Sequence, residues 1–208
     1  GEYKEVNNYY GAIIGRVANR IREGRFQVNG KSYAVAVNNA PNHLHGGPLG
    51  FHNCEWSVLE ATTNKLVLSY TSTDGEEGYP GNVRTETTYK IEGNDLHIEY
   101  SAVADAATPF NLSHHSFFNL KGEGNGDILG HEIEIIADAL TPVDETLIPT
   151  GIIQSVKNTP FDFSKRKAIG LQIDANDEQI VRGRGYDHNF VLSKKQPSIP
   201  ELAARVVE

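Results

Sequence analysis

The sequence predicts an all-β, antiparallel fold. Three observations carry that expectation. Short stretches of alternating apolar and polar residues recur along the chain, as half-buried strands require. Turn signals separate them, drawn from 20 glycines and 9 prolines. No segment holds a helical period for more than two turns. Regular short strands with intervening turns fit a β-sandwich or barrel.

In chain order, residues 10–22 have an apolar body and three arginines. Gly11 and Gly15 disfavour a long helix there, so a short helix or turn near Arg16–Ile21 is expected. A hairpin follows. Phe26 and Val28 alternate, Asn29-Gly30 is a strong two-residue turn signal, and Tyr33, Val35 and Val37 alternate again. Residues 38–53, rich in glycine and histidine, read as a structured loop. Strands are expected at Trp56–Glu60, Lys65–Ser72, Asn82–Glu92 and Asp95–Ala104. Another is expected within Asn111–Leu120, and one at His131–Ala137. Phe161–Phe163, Ile169–Ile173 and Phe190–Leu192 are short apolar stretches after a turn-rich connection at 141–151. With no repeat, low-complexity tract or linker, residues 1–208 read as a single domain.

The chain carries 27 acidic and 19 basic residues, a formal charge of -8. That argues against a nucleic-acid partner, which would leave a basic footprint. No apolar run is long enough for a membrane-spanning helix, and Gly1-Glu-Tyr-Lys-Glu5 lacks the apolar core of a signal peptide. The single cysteine, Cys54, excludes an intrachain disulfide framework and fits a reducing compartment, so a cytoplasmic location is expected. The chain has no methionine, which suggests that the native N-terminus lies upstream. Ala203–Glu208 reads as a strand that stops as it opens, which suggests truncation at the other end.

The chemistry centres on Asn111-Leu-Ser-His-His-Ser-Phe-Phe-Asn-Leu120. Histidine is the usual side chain for moving protons near neutrality. Neighbours on an extended segment point to opposite faces, so His114 and His115 cannot share one pocket. Three further clusters accompany them. Asn19-Arg20 closes the first segment, or is simply a solvated surface pair. His43-Leu-His45 would present two metal ligands on one strand face, or loop histidines bonded to backbone. Tyr186-Asp-His-Asn-Phe190 supplies Asp187, either a hydroxyl acceptor or a turn residue. No Gly-x-Ser-x-Gly elbow and no phosphate-binding glycine loop is present. Aromatic faces among Arg, Asn, Asp and His suit a neutral polyhydroxylated ligand.

Six blocks then resemble the aldose 1-epimerase (galactose mutarotase) family. They are residues 11–21, Leu44-His-Gly-Gly47, Asp74-Gly-Glu-Glu-Gly-Tyr-Pro-Gly81, Asn111–Leu120, Thr141–Gly151 and Tyr186–Phe190. The resemblance implies a large antiparallel β-sandwich of the galactose mutarotase type, incomplete here. It implies interconversion of the α and β anomers of a free aldohexose without a cofactor or metal. The general acid would be His115. Substrate contacts would fall on Asn19, Arg20, His45, Ser116, Phe117 and Asp187. Ser116 is expected beside His115 in the pocket, and His114 outside it. His114 stands where the family often has asparagine, and Phe117 where it often has tyrosine. The family's glutamate base sits in a C-terminal block that has no match in this sequence. Two alternatives follow: a non-catalytic sugar-binding protein of the same fold, and a metal site on a cupin-type β-sandwich.

Overall fold

The computed structural model describes residues 9–195 and 200–208; the opening Gly1–Glu5 lies outside them. The chain divides into two compact units, Gly1–Phe117 and Phe118–Glu208. Every pair of named strands is antiparallel.

The first unit holds β1 (Ile13–Ile14), β2 (Arg20–Ile21), β3 (Arg25–Val28), β4 (Lys31–Ala34) and β5 (His43–Leu44). It continues with β6 (Ser57–Ala61), β7 (Lys65–Ser72), β8 (Val83–Glu92), β9 (Asp95–Ala104) and β10 (Ser113–His114). The expected hairpin is β3–β4. Its turn residues Asn29 and Gly30 have φ of 50° and 77°, the paired positive values that match the twist of the flanking strands. Strands β6-β7-β8-β9 form a four-stranded sheet in chain order. The β8–β9 register runs unbroken from Val83↔Ala104 to Glu92↔Asp95, because the Gly93-Asn94 turn joins two ten-residue alternating runs.

The helical alternative for residues 16–21 fails, and the strand expected within Asn111–Leu120 is present but short. Residues 16–21 form no helix: Val17 makes a parallel bridge to Asn111 and Arg20–Ile21 pairs with β5. Within Asn111–Leu120 only Ser113–His114 is a strand, paired with Ile13–Ile14.

Arg16 organises this unit. It is only 2% exposed. Its Nε donates to Ser72 Oγ (2.8 Å), one terminal nitrogen to Pro80 O (2.9 Å) and Thr108 Oγ1 (3.4 Å), and the other to the carbonyls of Ser72 (3.1 Å) and Thr73 (2.8 Å). A buried guanidinium is tolerable only when its donors are met this fully. The buried apolar residues of this unit include Ile13, Ile14, Phe51, Tyr79 and Val83, and the guanidinium lies 5.8 Å from the centre of the Tyr79 ring. Each such side chain contributes about 1.5–3 kcal/mol on burial.

The second unit has two three-stranded sheets. One has the order β14 (Lys167–Ala168), β11 (Glu132–Ile135), β16 (Ala204–Val207). The other has β13 (Gln154–Ser155), β12 (Ala137–Thr141), β15 (Asn189–Leu192). The single expected strand at His131–Ala137 is thus parts of two, β11 and β12, which lie in different sheets. Within the apolar stretch Ile169–Ile173, Ile169–Leu171 is a 3-10 turn. A helix, α1 (Glu178–Gly183), is capped by Asp177, whose carboxylate accepts from the backbone of Gln179 and Ile180. Leu140, Val156, Phe161 and Ile180 form the core here, with Tyr186 and Phe190 packed against it.

Candidate functional site

The left-handed backbone at Asn19 and His45 builds the first part of the site. Asn19 has φ of 65° and His45 of 53°, a conformation in which asparagine is several-fold enriched. Strand pairing of β2 with β5 brings the two residues to adjoining strand ends. The backbone N–H of Asn19 donates to His45 Nδ1 at 3.0 Å, and the N–H of His45 donates to the Asn19 carbonyl at 3.0 Å. Arg20 extends from the same corner, donating to Asn39 Oδ1 (3.1 Å) and Asn19 Oδ1 (3.3 Å).

Gly46 makes this corner possible. Its φ is +81°, and a Cβ there would lie 1.8 Å from the Gly15 carbonyl oxygen. Only glycine fits. His43 and His45 therefore do not share a strand face. The ring of His43 is fully buried. It donates from Nδ1 to the Ala36 carbonyl (2.7 Å) and accepts at Nε2 from the Tyr79 hydroxyl (2.7 Å). His45 turns the other way because the strand ends at Leu44.

His115 meets His45. Their ring centroids are 5.3 Å apart, at 88°. The His115 backbone is held by Ala12, whose carbonyl accepts from His115 N–H at 2.9 Å, and by Gly11, whose N–H donates to the His115 carbonyl at 3.0 Å. Phe117 lies beside His115 at 5.0 Å and Tyr10 stands edge-on to Phe117 at 4.9 Å. Both aromatic rings are substantially exposed, Phe117 at 60% and Tyr10 at 47%. Exposed rings next to polar side chains are what a sugar's C–H face and hydroxyls need.

Alternation continues through residues 114–117 although the strand itself is two residues long. His115 and Phe117 lie together. His114 and Ser116 lie together, with Ser116 Oγ and His114 Nδ1 at 2.6 Å and the His114 ring edge-on to Tyr89 at 5.7 Å. Ser116 thus keeps company with His114 rather than His115.

Burial, reinforced by the neighbouring His115, Arg20 and His52, lowers the His45 pKa to about 4. His45 is neutral at pH 7, and its Nδ1 lone pair is occupied by Asn19. The proton therefore sits on Nε2, which makes His45 a hydrogen-bond donor through that atom.

Of the residues implied by the family resemblance, Asn19, Arg20, His45, His115 and Phe117 form one connected group in the first unit. Asp187 lies in the second unit, exposed, at the entry to β15. Its negative charge favours the protonated form of His188, yet burial dominates and lowers the His188 pKa. Tyr9, Tyr10, Asn39 and His52 also border the group, and sequence reasoning passed over all four. Two signals pointed to them: a tyrosine pair directly before Gly11, and a third histidine in the loop that bears His43 and His45. Among the described residues, no group of three or more His, Cys, Asp or Glu is arranged to hold a metal ion.

The fold and the site together define an antiparallel all-β protein with a solvent-facing corner of histidines and aromatic rings. The chain belongs to the aldose 1-epimerase family, whose sequence model matches residues 1–207. It is 46% identical to a galactose mutarotase of Rattus norvegicus over 204 residues, which cover 98% of this chain and 57% of that protein. It is 37% identical to an aldose 1-epimerase of Escherichia coli K12 over 194 residues, 93% of this chain and 56% of that one. A crystal structure of an aldose epimerase homologue from C. elegans superposes with a TM-score of 0.88 at 31% identity, covering all of this chain and 61% of that one. The antiparallel fold is therefore of the galactose mutarotase type. The chain spans a little over half the length of these curated relatives.

Proposed function

We propose that the protein is an aldose 1-epimerase that interconverts the α and β anomers of a free aldohexose such as galactose or glucose. One observation carries the reading: His115 and His45 face each other beside the exposed rings of Phe117 and Tyr10, with Asn19 and Arg20 tied to His45. In the proposed step, His115 gives a proton to the ring oxygen as the C1–O5 bond breaks. A base removes the proton of the anomeric hydroxyl, leaving a C1 carbonyl. Rotation about C1–C2 and reversal of the step close the ring on the other face. Only protons move, so the chemistry requires no cofactor. Positioned proton transfer of this kind contributes roughly 10²–10⁴ in rate.

In this reading His45 Nε2–H, Asn19 and Arg20 hold sugar hydroxyls, and Phe117 covers the C–H face. Asp187 is carried as a substrate contact by the family resemblance alone, and Ser116 serves by fixing His114. The base, a glutamate by the family resemblance, has no matching block in these 208 residues. We further propose that both units belong to one mutarotase-type domain, a reading supported by a single family match across both. The lone Cys54 supports a cytoplasmic location. No helix among the described residues is long and apolar enough to cross a membrane.

Polarimetry of freshly dissolved α-galactose and α-glucose tests the activity in the protein that carries this chain. Accelerated decay toward the equilibrium rotation is expected. Decay at the uncatalysed rate, from a folded protein with both sugars, would refute the proposal.

A further inference from the structure

Tyr9 touches both imidazoles of the candidate site, and a third histidine beside them. Its ring stands edge-on to His45 (4.8 Å, 76°) and edge-on to His52 (4.7 Å, 70°), and it stacks on His115 (5.6 Å, 29°). With the 5.3 Å contact between His45 and His115, three rings close a triangle. The backbone is tied in as well. The Tyr9 carbonyl accepts from Ala12 N–H at 3.0 Å, and the turn so formed exchanges two hydrogen bonds with the His115 backbone. Tyr9 itself has φ of 57°, unfavourable for a bulky side chain. Such a conformation persists where the surrounding structure over-determines it, commonly near functional sites.

We propose that Tyr9 is a positioning residue: its ring is a wedge that sets the distance and angle between the imidazoles of His115 and His45. This rests on the mutarotase reading above. A general acid must reach the ring oxygen while His45 holds a hydroxyl of the same sugar. The Asn19 N–H holds the His45 ring through Nδ1, whereas the His115 imidazole is placed by ring contacts alone, with Tyr9, His45 and Phe117. The Tyr9 ring, packed against both imidazoles, sets where the His115 ring stands relative to the fixed His45. His52, on the third side, keeps Tyr9 from sliding out of the gap. The hydroxyl of Tyr9 has no part in this role; the ring does.

Three variants of the protein that carries this chain test the wedge. Tyr9→Leu should lower kcat about tenfold to 10²-fold, the usual consequence of a displacement near 1 Å, with KM changed less than about threefold. Tyr9→Phe keeps the ring and should restore kcat to within about threefold of the parent. Tyr9→Trp, oversized for the gap, should lose turnover as Tyr9→Leu does, and it substitutes for that variant if the leucine chain fails to fold. Nuclear Overhauser contacts between the His45 and His115 rings should persist in Tyr9→Phe and vanish in Tyr9→Leu or Tyr9→Trp. Parent-like turnover in Tyr9→Leu or Tyr9→Trp would overturn the proposal. So would a Tyr9→Phe chain as impaired as Tyr9→Leu, which would assign the role to the hydroxyl. If the parent protein shows no mutarotase activity, the functional reading fails. The ring-to-ring contacts then decide the wedge alone: their persistence in Tyr9→Leu overturns it.

Discussion

Asn19 and His45 hold each other by two hydrogen bonds, N–H to imidazole in one direction and N–H to carbonyl in the other, each 3.0 Å long. The first of these bonds exists only while Nδ1 of His45 is unprotonated. Protonating that nitrogen turns an acceptor into a donor and sets two donors against each other.

Stability should therefore fall on acidification. The His45 pKa is about 4 in the folded protein against an ordinary 6.5. Above about pH 6.5 the group is neutral in both states and contributes no pH dependence. Between about 6.5 and 4 the unfolded chain takes up the proton and the folded chain does not, so the folded state loses ground as pH falls. His43 and His52, also lowered by burial, act with the same sign. Thermal melting across pH 7 to 4 should show a declining Tm, and His45→Gln should flatten part of that slope. An unchanged slope in the variant would contradict the link.

The parity of residues 114–117 separates two neighbouring histidines. His115→Asn should lower turnover by about 10² or more, with the far-ultraviolet circular dichroism unchanged. His114→Asn should leave turnover within about threefold of the parent, because its ring faces Tyr89 and Ser116. Polarimetric rates for the two variants check this, and equal losses would break the assignment.

Arg16→Met should destabilise the first unit by roughly 3–5 kcal/mol. The substitution keeps much of the side-chain volume and removes every donor. The buried carbonyls of Ser72 and Pro80 then lose the partners they now have, each costing about 1–3 kcal/mol before relaxation. Urea denaturation measures the loss. A change below about 1 kcal/mol would mean that water replaces the guanidinium.

Gly46→Ala should disrupt the corner that carries His45. The new methyl group would lie 1.8 Å from the Gly15 oxygen, and the positive φ adds strain. A loss of about 3 kcal/mol is expected, accompanied by weaker sugar binding. Sugar titration followed by nuclear magnetic resonance, alongside thermal melting, reads both effects.

Much of the first unit was legible in the sequence. Lys65–Ser72 and Asp95–Ala104 coincide with β7 and β9 because alternation over eight to ten residues, closed by strong turns, leaves few other solutions. The helix α1 escaped notice because its six residues are too few to show a period. It is held instead by a cap and by Gln179, whose side-chain amide bonds both backbone groups of Val143. Asn19, Arg20, His45, His115 and Phe117 were reached through the family resemblance, and their contacts became visible only in three dimensions. The left-handed step at His45 breaks the strand parity that a His-x-His reading assumes. The parity that placed His114 opposite His115 also pairs Ser116 with His114, a consequence the family resemblance obscured. Tyr9 carried no motif, since its role lies in ring contacts with residues remote along the chain.

The alternation at 114–117 makes this short strip a two-channel tape for protein engineering. Odd positions write to the ring cluster with His45 and Tyr10, and even positions to the packing against Tyr89. The two channels use separate side-chain contacts on adjoining residues, and a double-mutant cycle across them measures how far their effects couple. A library restricted to position 117, including return of the tyrosine hydroxyl, would vary the surface beside His115 and leave the Ser116–His114 hydrogen bond in place.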